Sequence, residues 1–168
     1  MSYRVLIVDD DPLVAHSLRR TLRGESLDIF EAAGATAAIE ILSREPIDVV
    51  ISDHQMPGMT GTALLNLVRV RWPDTVRILL TAHADLQLAI TALNEGSIHR
   101  LLTKPWNVLD VRTILQLCLR QLENQRDTTR QLEAARQVLR RQPERAMPAA
   151  PAVPPEVPVG AGEEPTRR

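Results

Sequence analysis

Residues 5–12 read Val-Leu-Ile-Val-Asp-Asp-Asp-Pro, and this stretch decides the fold of the chain. A short continuous run of apolar residues is typical of a strand that is buried on both faces, as in a parallel sheet covered by helices. The run ends at Asp9 and Asp10, and Asp11 directly before Pro12 is typical of a capped helix start. A buried strand that leads at once into a helix is the repeating unit of an α/β fold.

The same strand–helix pattern recurs along the chain. We predict strands at Tyr3–Val8, Leu27–Ala32, Val49–Ile51, Arg77–Thr81 and Ile98–Leu102. Helices are predicted from Pro12 to Gly24, at Ala35–Arg44, Gly61–Arg71 and Leu86–Glu95, and from Asn107 to about Gln142. This alternation predicts an α/β fold with a five-stranded, doubly wound parallel sheet and right-handed crossovers.

Composition limits the classes of function. The chain has 168 residues and a net charge of −1, so no general affinity for polyanions follows. Its single cysteine, Cys118, excludes an intramolecular disulfide framework and fits a reducing cytosol. We expect Cys118 to be a small core side chain. We expect no signal peptide, and no apolar run is long enough to span a membrane, so we predict a cytoplasmic protein without membrane contact.

The end of the chain differs in composition from the rest. Seven of the twelve prolines lie between Pro143 and Pro165. Such a segment cannot pack a core, and we predict that it is disordered. The expected organisation is a domain at residues 1–122, a helical extension at residues 123–142 and a Pro/Ala-rich disordered tail at residues 143–168.

Polar residues stand at the carboxyl ends of the predicted strands, where a parallel sheet places its cleft. They are Asp9, Asp10, Asp53, Thr81 and Lys104. Clustered carboxylates repel, and a divalent cation relieves the repulsion; oxygen-only ligation suits Mg²⁺. Thr81 and Lys104 fit the oxygens of a transferred phosphoryl group. One carboxylate is then free to act as a nucleophile, and Asp53 on the central strand is the best candidate.

Lys104 is the only lysine in the chain, beside nineteen arginines. Lysine carries a compact point charge on a flexible stem, whereas arginine carries a wide planar fork. A narrow anionic pocket around a phosphoryl group favours the compact charge. Codon bias explains a lone lysine equally well, so both readings stay open at this point.

Four motifs of the chain resemble the receiver domain of bacterial two-component response regulators over about residues 3–122. They are Val-Leu-Ile-Val-Asp-Asp-Asp-Pro at 5–12, Val-Val-Ile-Ser-Asp-His-Gln-Met-Pro-Gly-Met-Thr-Gly at 49–61, Leu-Leu-Thr-Ala at 79–82 and Leu-Thr-Lys-Pro at 102–105. The resemblance implies a flavodoxin-like fold. It also implies a phosphoprotein of phosphorelay signal transduction that switches interactions and is not an enzyme.

The resemblance assigns roles to individual residues. It implies that Asp53 accepts a phosphoryl group from the phosphohistidine of a sensor kinase or phosphotransfer protein. Asp10 and Asp53 are expected to bind Mg²⁺ directly, together with the main-chain carbonyl of Gln55, and Asp9 mainly through water. Thr81 and Lys104 are expected to contact the phosphoryl oxygens.

The chain departs from the receiver pattern at Leu101. Receivers usually carry Tyr or Phe three residues before the lysine, as a rotameric switch. We expect a leucine there to occupy the space vacated when Thr81 moves, but with less volume and no hydroxyl, so the resemblance does not extend to the usual aromatic readout. Trp106, which follows Pro105, is a candidate for part of that readout, with plain packing as the alternative.

Two further residues are candidate modulators of lifetime. In the receiver fold, residues two after Asp53 and two after Thr81 flank the path of an attacking water, and here they are Gln55 and His83. Both are polar and able to orient water. We expect the histidines in general, His16 and His99 included, to lie at the surface or in loops.

A different class of function competes with the receiver reading. Asp9 and Asp11 after an apolar strand also satisfy the DxD motif of haloacid-dehalogenase-type phosphohydrolases, with Asp9 as nucleophile and Asp11 as acid. Two observations argue against a phosphohydrolase. The sequence lacks the later Gly-Asp pair of acidic metal ligands after Lys104, and it lacks a cap insertion.

The segment after residue 122 bears on output. It is too short and too rich in proline for a DNA-binding helix-turn-helix domain, so we expect a downstream protein effector and no nucleic acid. The helical stripe there is weak for a coiled coil and reads Gln125, Thr129, Leu132, Arg136 and Leu139. A lone helix of this kind is marginal in water, so it either pairs with its copy or docks on a partner. Of these two readings, we favour a weak homodimer that phosphorylation strengthens.

Overall fold

Strands and helices alternate along the chain in the order that the sequence predicts. The computed structural model describes residues 2–24 and 26–141. The strands are Tyr3–Val8 (β1), Leu27–Ala32 (β2), Val49–Asp53 (β3), Val76–Ala82 (β4) and Arg100–Lys104 (β5). The helices are Pro12–Thr21 (α1), Ala35–Arg44 (α2), Gly61–Arg71 (α3), Leu86–Asn94 (α4) and Val108–Arg141 (α5), with a 3₁₀ helix at His83–Asp85 before α4.

The strands form one five-stranded sheet in the order β2-β1-β3-β4-β5, and every neighbouring pair is parallel. This confirms the predicted fold class. From β1 the chain winds outward to β2 and then returns to β3 on the other side of β1. The direction of winding therefore reverses between β1 and β3, which is where open α/β sheets form their binding crevice.

Helices cover both faces of the sheet, and each face has its own apolar core. Helices α2, α3 and α4 pack on one face, where Leu64 and Leu65 are completely buried. Helices α1 and α5 pack on the other face, where Leu18 and Leu115 are buried. Cys118 lies in this second core, as predicted, and burial raises the pKa of its thiol.

The predicted position of the fifth strand was wrong by two residues. We predicted Ile98–Leu102, but β5 spans Arg100–Lys104. The main-chain N–H groups of Ser97 and Ile98 donate to the carbonyl of Ala92, so this segment closes α4 and does not join the sheet. Ile98 is buried in this segment, so its apolar side chain looks like that of a strand residue. As a consequence, Lys104 is the last residue of β5 and pairs with Ala82 of β4.

Helix α1 begins with the capping arrangement that its sequence predicts. Asp11 occupies the N-cap position and its carboxylate accepts the main-chain N–H of Leu13 at 2.9 Å, with Pro12 in the first turn. Such a cap satisfies a donor that the helix itself leaves unpaired. The Asp11 carboxylate thus serves the helix start, which argues against its predicted alternative role as the acid of a phosphohydrolase.

Helix α5 keeps contacting the sheet beyond Leu122. The hydroxyl of Tyr3 binds the carboxylate of Glu123, and Arg126 forms an ion pair with Asp48. The chain divides into two compact units, Met1–Thr129 and Arg130–Arg168. The domain limits at residues 122 and 142 stay predictions, and the proline-rich tail lies outside the described residues.

The second unit begins with the last helical residues of α5. The described part of this unit is helical to Arg141. Leu132, Val138 and Leu139 are exposed there. Among the helices of the described residues, none combines the length and the apolar character that crossing a bilayer requires.

Candidate functional site

Three aspartates converge where β1 and β3 end. Val8 pairs with Ser52 in the register of these strands, so Asp9 and Asp53 follow side by side. Carboxylate oxygens of Asp9, Asp10 and Asp53 all lie within 4.8 Å of one another. Asp9 and Asp53 are only 3% and 6% exposed, whereas Asp10 is exposed. The cluster is therefore open to solvent on the side of Asp10.

Lys104 supplies the cation that faces this cluster. Its Nζ lies 2.7 Å from Oδ1 of Asp53 and 3.2 Å from Oδ2 of Asp9. Strand β4 lies between β5 and β3. The lysine side chain therefore has to reach across β4, over two strand spacings or about 10 Å. Burial lowers the pKa of Lys104, but the hydrogen bonds and charges of Asp53 and Asp9 outweigh it and raise the pKa overall.

The pKa of the Asp9 carboxyl group is also raised, so here the environment disfavours the charged form. Burial raises the pKa of Asp9, and the nearby charge of Asp53 adds to this. The main-chain N–H of Asp11, which donates to Oδ1 of Asp9 at 2.9 Å, and the ammonium of Lys104 both lower the pKa in part. These two groups do not fully offset the burial, so the pKa of Asp9 is raised overall.

The donor set fits Mg²⁺. The cluster offers only carboxylate oxygens, and its members are close enough to share one ion. Mg²⁺ prefers oxygen ligands and usually keeps several waters, which the open side at Asp10 allows. A divalent charge also relieves the mutual repulsion of the three carboxylates.

Thr81 lies on β4, between the strand that carries Asp53 and the strand that carries Lys104. It is completely buried on β4, one residue after Leu80, which pairs with Asp53, and it pairs with Thr103 of β5. Its hydroxyl donates to the carbonyl of Ala82 at 3.3 Å. Residues of three neighbouring strands, Asp53, Thr81 and Lys104, thus lie at the same edge of the sheet.

The predicted modulators lie around the site but make different contacts. Gln55 is exposed, and its amide Nε2 donates to Oδ2 of Asp85 at 2.7 Å. His83 is exposed in the 3₁₀ helix that also carries Asp85. The sequence indicates Gln55 and His83 by their positions, and the structure adds Asp85 as the partner of Gln55.

Leu101 and Trp106 belong to opposite sides of the sheet. Leu101 packs on the core under α2, α3 and α4, whereas Trp106 packs on the core under α1 and α5. The indole Nε1 of Trp106 donates to the hydroxyl of Thr21 at 3.4 Å. Arg112 Nε also donates to the carbonyl of Thr21 at 2.9 Å. The segment after Lys104 is thereby tied to the end of α1.

Two histidines lie in loops but are not surface residues. His54, next to Asp53, is 8% exposed, and in the part of the chain that the structure describes its Nδ1 has no hydrogen-bond partner. His99 is partly buried, and its Nδ1 accepts the main-chain N–H of Arg77 at 3.0 Å. Burial together with the charges of Arg77 and Arg100 lowers the pKa of His99 to about 4.

Sequence reasoning missed a close contact at the base of the site. Gly61, the first residue of α3, lies against the main chain of Asp53, and its N–H donates to the carbonyl of His54 at 2.9 Å. A signal existed, because glycine is a poor helix former and Thr60 already supplies the cap of α3. For Asp85 and Thr21 the sequence carries no comparable signal.

Comparisons with known proteins agree with this geometry. A family model described as "Response regulator receiver domain" matches residues 5–116. The hydrogenase transcriptional regulatory protein HoxA of Cupriavidus necator is 39% identical over 102 residues, which are 61% of this chain and 21% of that protein. The response regulator protein FleR of Pseudomonas aeruginosa is 36% identical over 120 residues, 71% of this chain and 24% of FleR.

A solved structure shows the same arrangement of elements. The signal receiver domain of an HD domain-containing protein from Pseudomonas fluorescens superposes with a TM-score of 0.70 at 33% identity. The match covers 74% of this chain and 99% of that domain. By contrast, the chain spans only 21% of HoxA and 24% of FleR, so what those whole proteins do is not carried over with the match.

Proposed function

This chain belongs to the response-regulator receiver family, and from that membership we propose that Asp53 accepts a phosphoryl group from the phosphohistidine of a sensor kinase or phosphotransfer protein. Asp53 Oδ forms the new bond to phosphorus. The bond between phosphorus and the imidazole nitrogen breaks, and its electron pair stays on the imidazole.

The observation that carries this proposal is the position of Lys104 Nζ. It lies 2.7 Å from Asp53 and 3.2 Å from Asp9, inside a cluster of three carboxylates. A compact ammonium in contact with the acceptor oxygen is suited to neutralise phosphoryl oxygens as they arrive. Thr81, buried on the strand between Asp53 and Lys104, supplies a hydroxyl for another phosphoryl oxygen.

Asp9, Asp10, Asp53 and the main-chain carbonyl of Gln55 would hold Mg²⁺, with Asp9 acting mainly through water. When bound, Mg²⁺ supplies positive charge against the carboxylates and the phosphoryl oxygens. The proximity of the three carboxylates supports this part of the proposal.

Phosphorylation then acts as a switch for protein contacts. When a phosphoryl group joins Asp53, Lys104 exchanges a carboxylate partner for phosphoryl oxygens, and Thr81 moves toward them. Leu101 moves into the space that Thr81 leaves, but it has no hydroxyl to form a new hydrogen bond. We therefore assign part of the conformational response to phosphorylation to Trp106. Its bond to Thr21 supports this assignment, because it joins the segment after Lys104 to α1. Gln55 and His83 set the lifetime of the phosphorylated form.

We propose a sensor histidine kinase or phosphotransfer protein upstream and a protein effector downstream, in the cytoplasm, with no nucleic acid, membrane or enzymatic turnover. NtrC of Escherichia coli, named a DNA-binding transcriptional regulator, is 32% identical over 121 residues, which are 26% of that protein. A DNA-binding output is thus a property of such a relative, and protein contacts remain the proposal for this chain.

The test is phosphorylation of the full chain by a small acyl phosphate with Mg²⁺, read by intact mass. We expect one phosphoryl adduct on the unchanged protein and none on Asp53→Asn. The matched control Asp28→Asn removes an exposed carboxylate on β2 and should label normally. A chelator should abolish labelling. A persistent single adduct on Asp53→Asn, or repeated turnover of a phosphate ester, would contradict the proposal.

A further inference from the structure

A hydrogen bond joins two loops beside the acidic cluster. Nε2 of Gln55 donates to Oδ2 of Asp85 at 2.7 Å. Gln55 lies two residues after Asp53, and Asp85 ends the 3₁₀ helix that follows β4 and Thr81. The bond therefore connects the segment that follows Asp53 with the segment that follows Thr81 at the end of β4.

Asp85 stands where an aspartate ordinarily caps a helix. It is the N-cap residue of α4, yet its side chain makes no capping hydrogen bond. Aspartate at an N-cap usually accepts an N–H group of the first turn, as Asp11 does in α1. In this chain the Asp85 carboxylate binds Gln55 instead, so its position serves the loop beside Asp53.

The bond also determines which end of the Gln55 amide stays available. A glutamine amide that is free to rotate presents either its donor or its acceptor to a neighbour. With Nε2 held by Asp85, the carbonyl oxygen Oε1 remains as the acceptor end in a fixed direction. An acceptor suits a water that attacks phosphorus, because such a water donates hydrogen bonds as its oxygen approaches.

We propose that Asp85 is a positioning residue for hydrolysis of the phosphoryl group on Asp53, acting through the amide of Gln55. This inference rests on the proposed function. In the hydrolysis, the water oxygen bonds to phosphorus and the bond from phosphorus to Asp53 breaks, with its electron pair returning to the carboxylate. The proton of the water passes to the phosphate that leaves. Gln55 orients the water, and Asp85 orients Gln55.

The experiment measures decay of the phosphoryl adduct on the full chain after removal of the small acyl phosphate. Asp85→Ala should slow decay by about fivefold, the effect of losing one net hydrogen bond. Asp85→Asn keeps an acceptor for Nε2 and should decay nearly as fast as the unchanged protein. In a Gln55→Ala background, Asp85→Ala should have no further effect, because the residue through which it acts is gone.

A purely structural role for Asp85 gives different results. Decay of Asp85→Ala at the unchanged rate, equal slowing by Asp85→Asn, or the full effect persisting without Gln55 would each overturn the inference. Thermal unfolding of every variant shows which of them are folded, and Asp28→Ala serves as the carboxylate control. If the unchanged protein takes no label, the proposed function fails and this inference with it. Labelling with unaltered decay would remove only the role of Asp85.

Discussion

A β-carbon at Gly61 would lie 1.9 Å from the main-chain carbonyl oxygen of Asp53. The first residue of α3 is therefore in close contact with the residue that we propose as the phosphoacceptor. The N–H of Gly61 also donates to the carbonyl of His54 at 2.9 Å, so the loop of residues 54–60 closes on itself. The two main-chain segments therefore leave no space for a side chain at residue 61.

Gly61→Ala should destabilise the fold and impair phosphorylation together. A methyl group has no space beside the Asp53 carbonyl, and overpacking of this kind costs about 1–3 kcal/mol or more. Urea unfolding measures the loss, and intact mass measures the rate of labelling. Thr62→Ala, which places the same side chain one residue further along α3, should alter both far less. Unchanged stability of Gly61→Ala would show that the contact relaxes freely.

Lys104→Arg should fold but respond poorly to phosphorylation. The guanidinium keeps the charge but is too wide for the space between Asp53 and Asp9 that the ammonium occupies. We expect labelling to slow by roughly tenfold. The reverse exchange at an exposed site, Arg69→Lys, is the matched control. Labelling of Lys104→Arg at the unchanged rate would favour codon bias as the reason for the lone lysine.

Trp106 should report phosphorylation through its fluorescence. The chain has two tryptophans, so Trp72→Phe leaves Trp106 as the only tryptophan, which excitation at the red edge selects over Tyr3. We expect its emission to change when Asp53 is labelled and to stay constant in Asp53→Asn. Thr21→Val removes the hydroxyl that accepts the indole N–H and should reduce the change. Full labelling by mass without any spectral change would assign Trp106 a packing role only.

His99 should make the protein sensitive to acid. Its pKa is lowered to about 4 in the fold, against a normal value of 6.5. Between these pH values His99 is protonated in the unfolded chain but neutral in the folded protein. Its contribution to the free energy of unfolding is therefore fully present above pH 6.5 and is lost as the pH falls toward 4. Since His99 is partly exposed, we expect a loss of roughly 1–2 kcal/mol.

Comparison of variants isolates this contribution from that of other groups. Urea unfolding at pH 7.5 and pH 5 should show a smaller acid loss in His99→Asn, which keeps an acceptor for the Arg77 N–H. His16→Asn, at an exposed histidine, should behave like the unchanged protein. Equal acid loss in all three proteins would contradict the prediction.

The last turns of α5 should mediate weak self-association that phosphorylation strengthens. Leu132, Val138 and Leu139 are exposed there, and pairing with a second copy would bury them. Light scattering of the full chain, with and without labelling, should show a higher mass when labelled. A version cut after Thr129 keeps the contacts of Glu123 and Arg126 and should stay monomeric. Monomers in every sample would favour docking on a partner.

The order of elements and the membership of the acidic site followed from the sequence. Apolar runs of residues and the helical repeat depend on local geometry, so they predicted five strands and five helices whose limits mostly agree within two residues. Residues at the carboxyl ends of parallel strands meet at one edge of the sheet. Strand order alone therefore predicts that Asp9, Asp53, Thr81 and Lys104 lie near one another. The shift of β5 arose because an apolar residue in a buried turn looks like a strand residue.

The sequence by itself determined a doubly wound sheet with carboxylates, a hydroxyl and a single ammonium at its carboxyl edge, since periodicity and strand order are properties of the chain. Only the tertiary structure decided which side chains pair across that edge. Gln55 meets Asp85, Trp106 meets Thr21, and Gly61 abuts Asp53. These pairs depend on the final approach of separate loops and helices, where a difference of an ångström decides between a hydrogen bond and none.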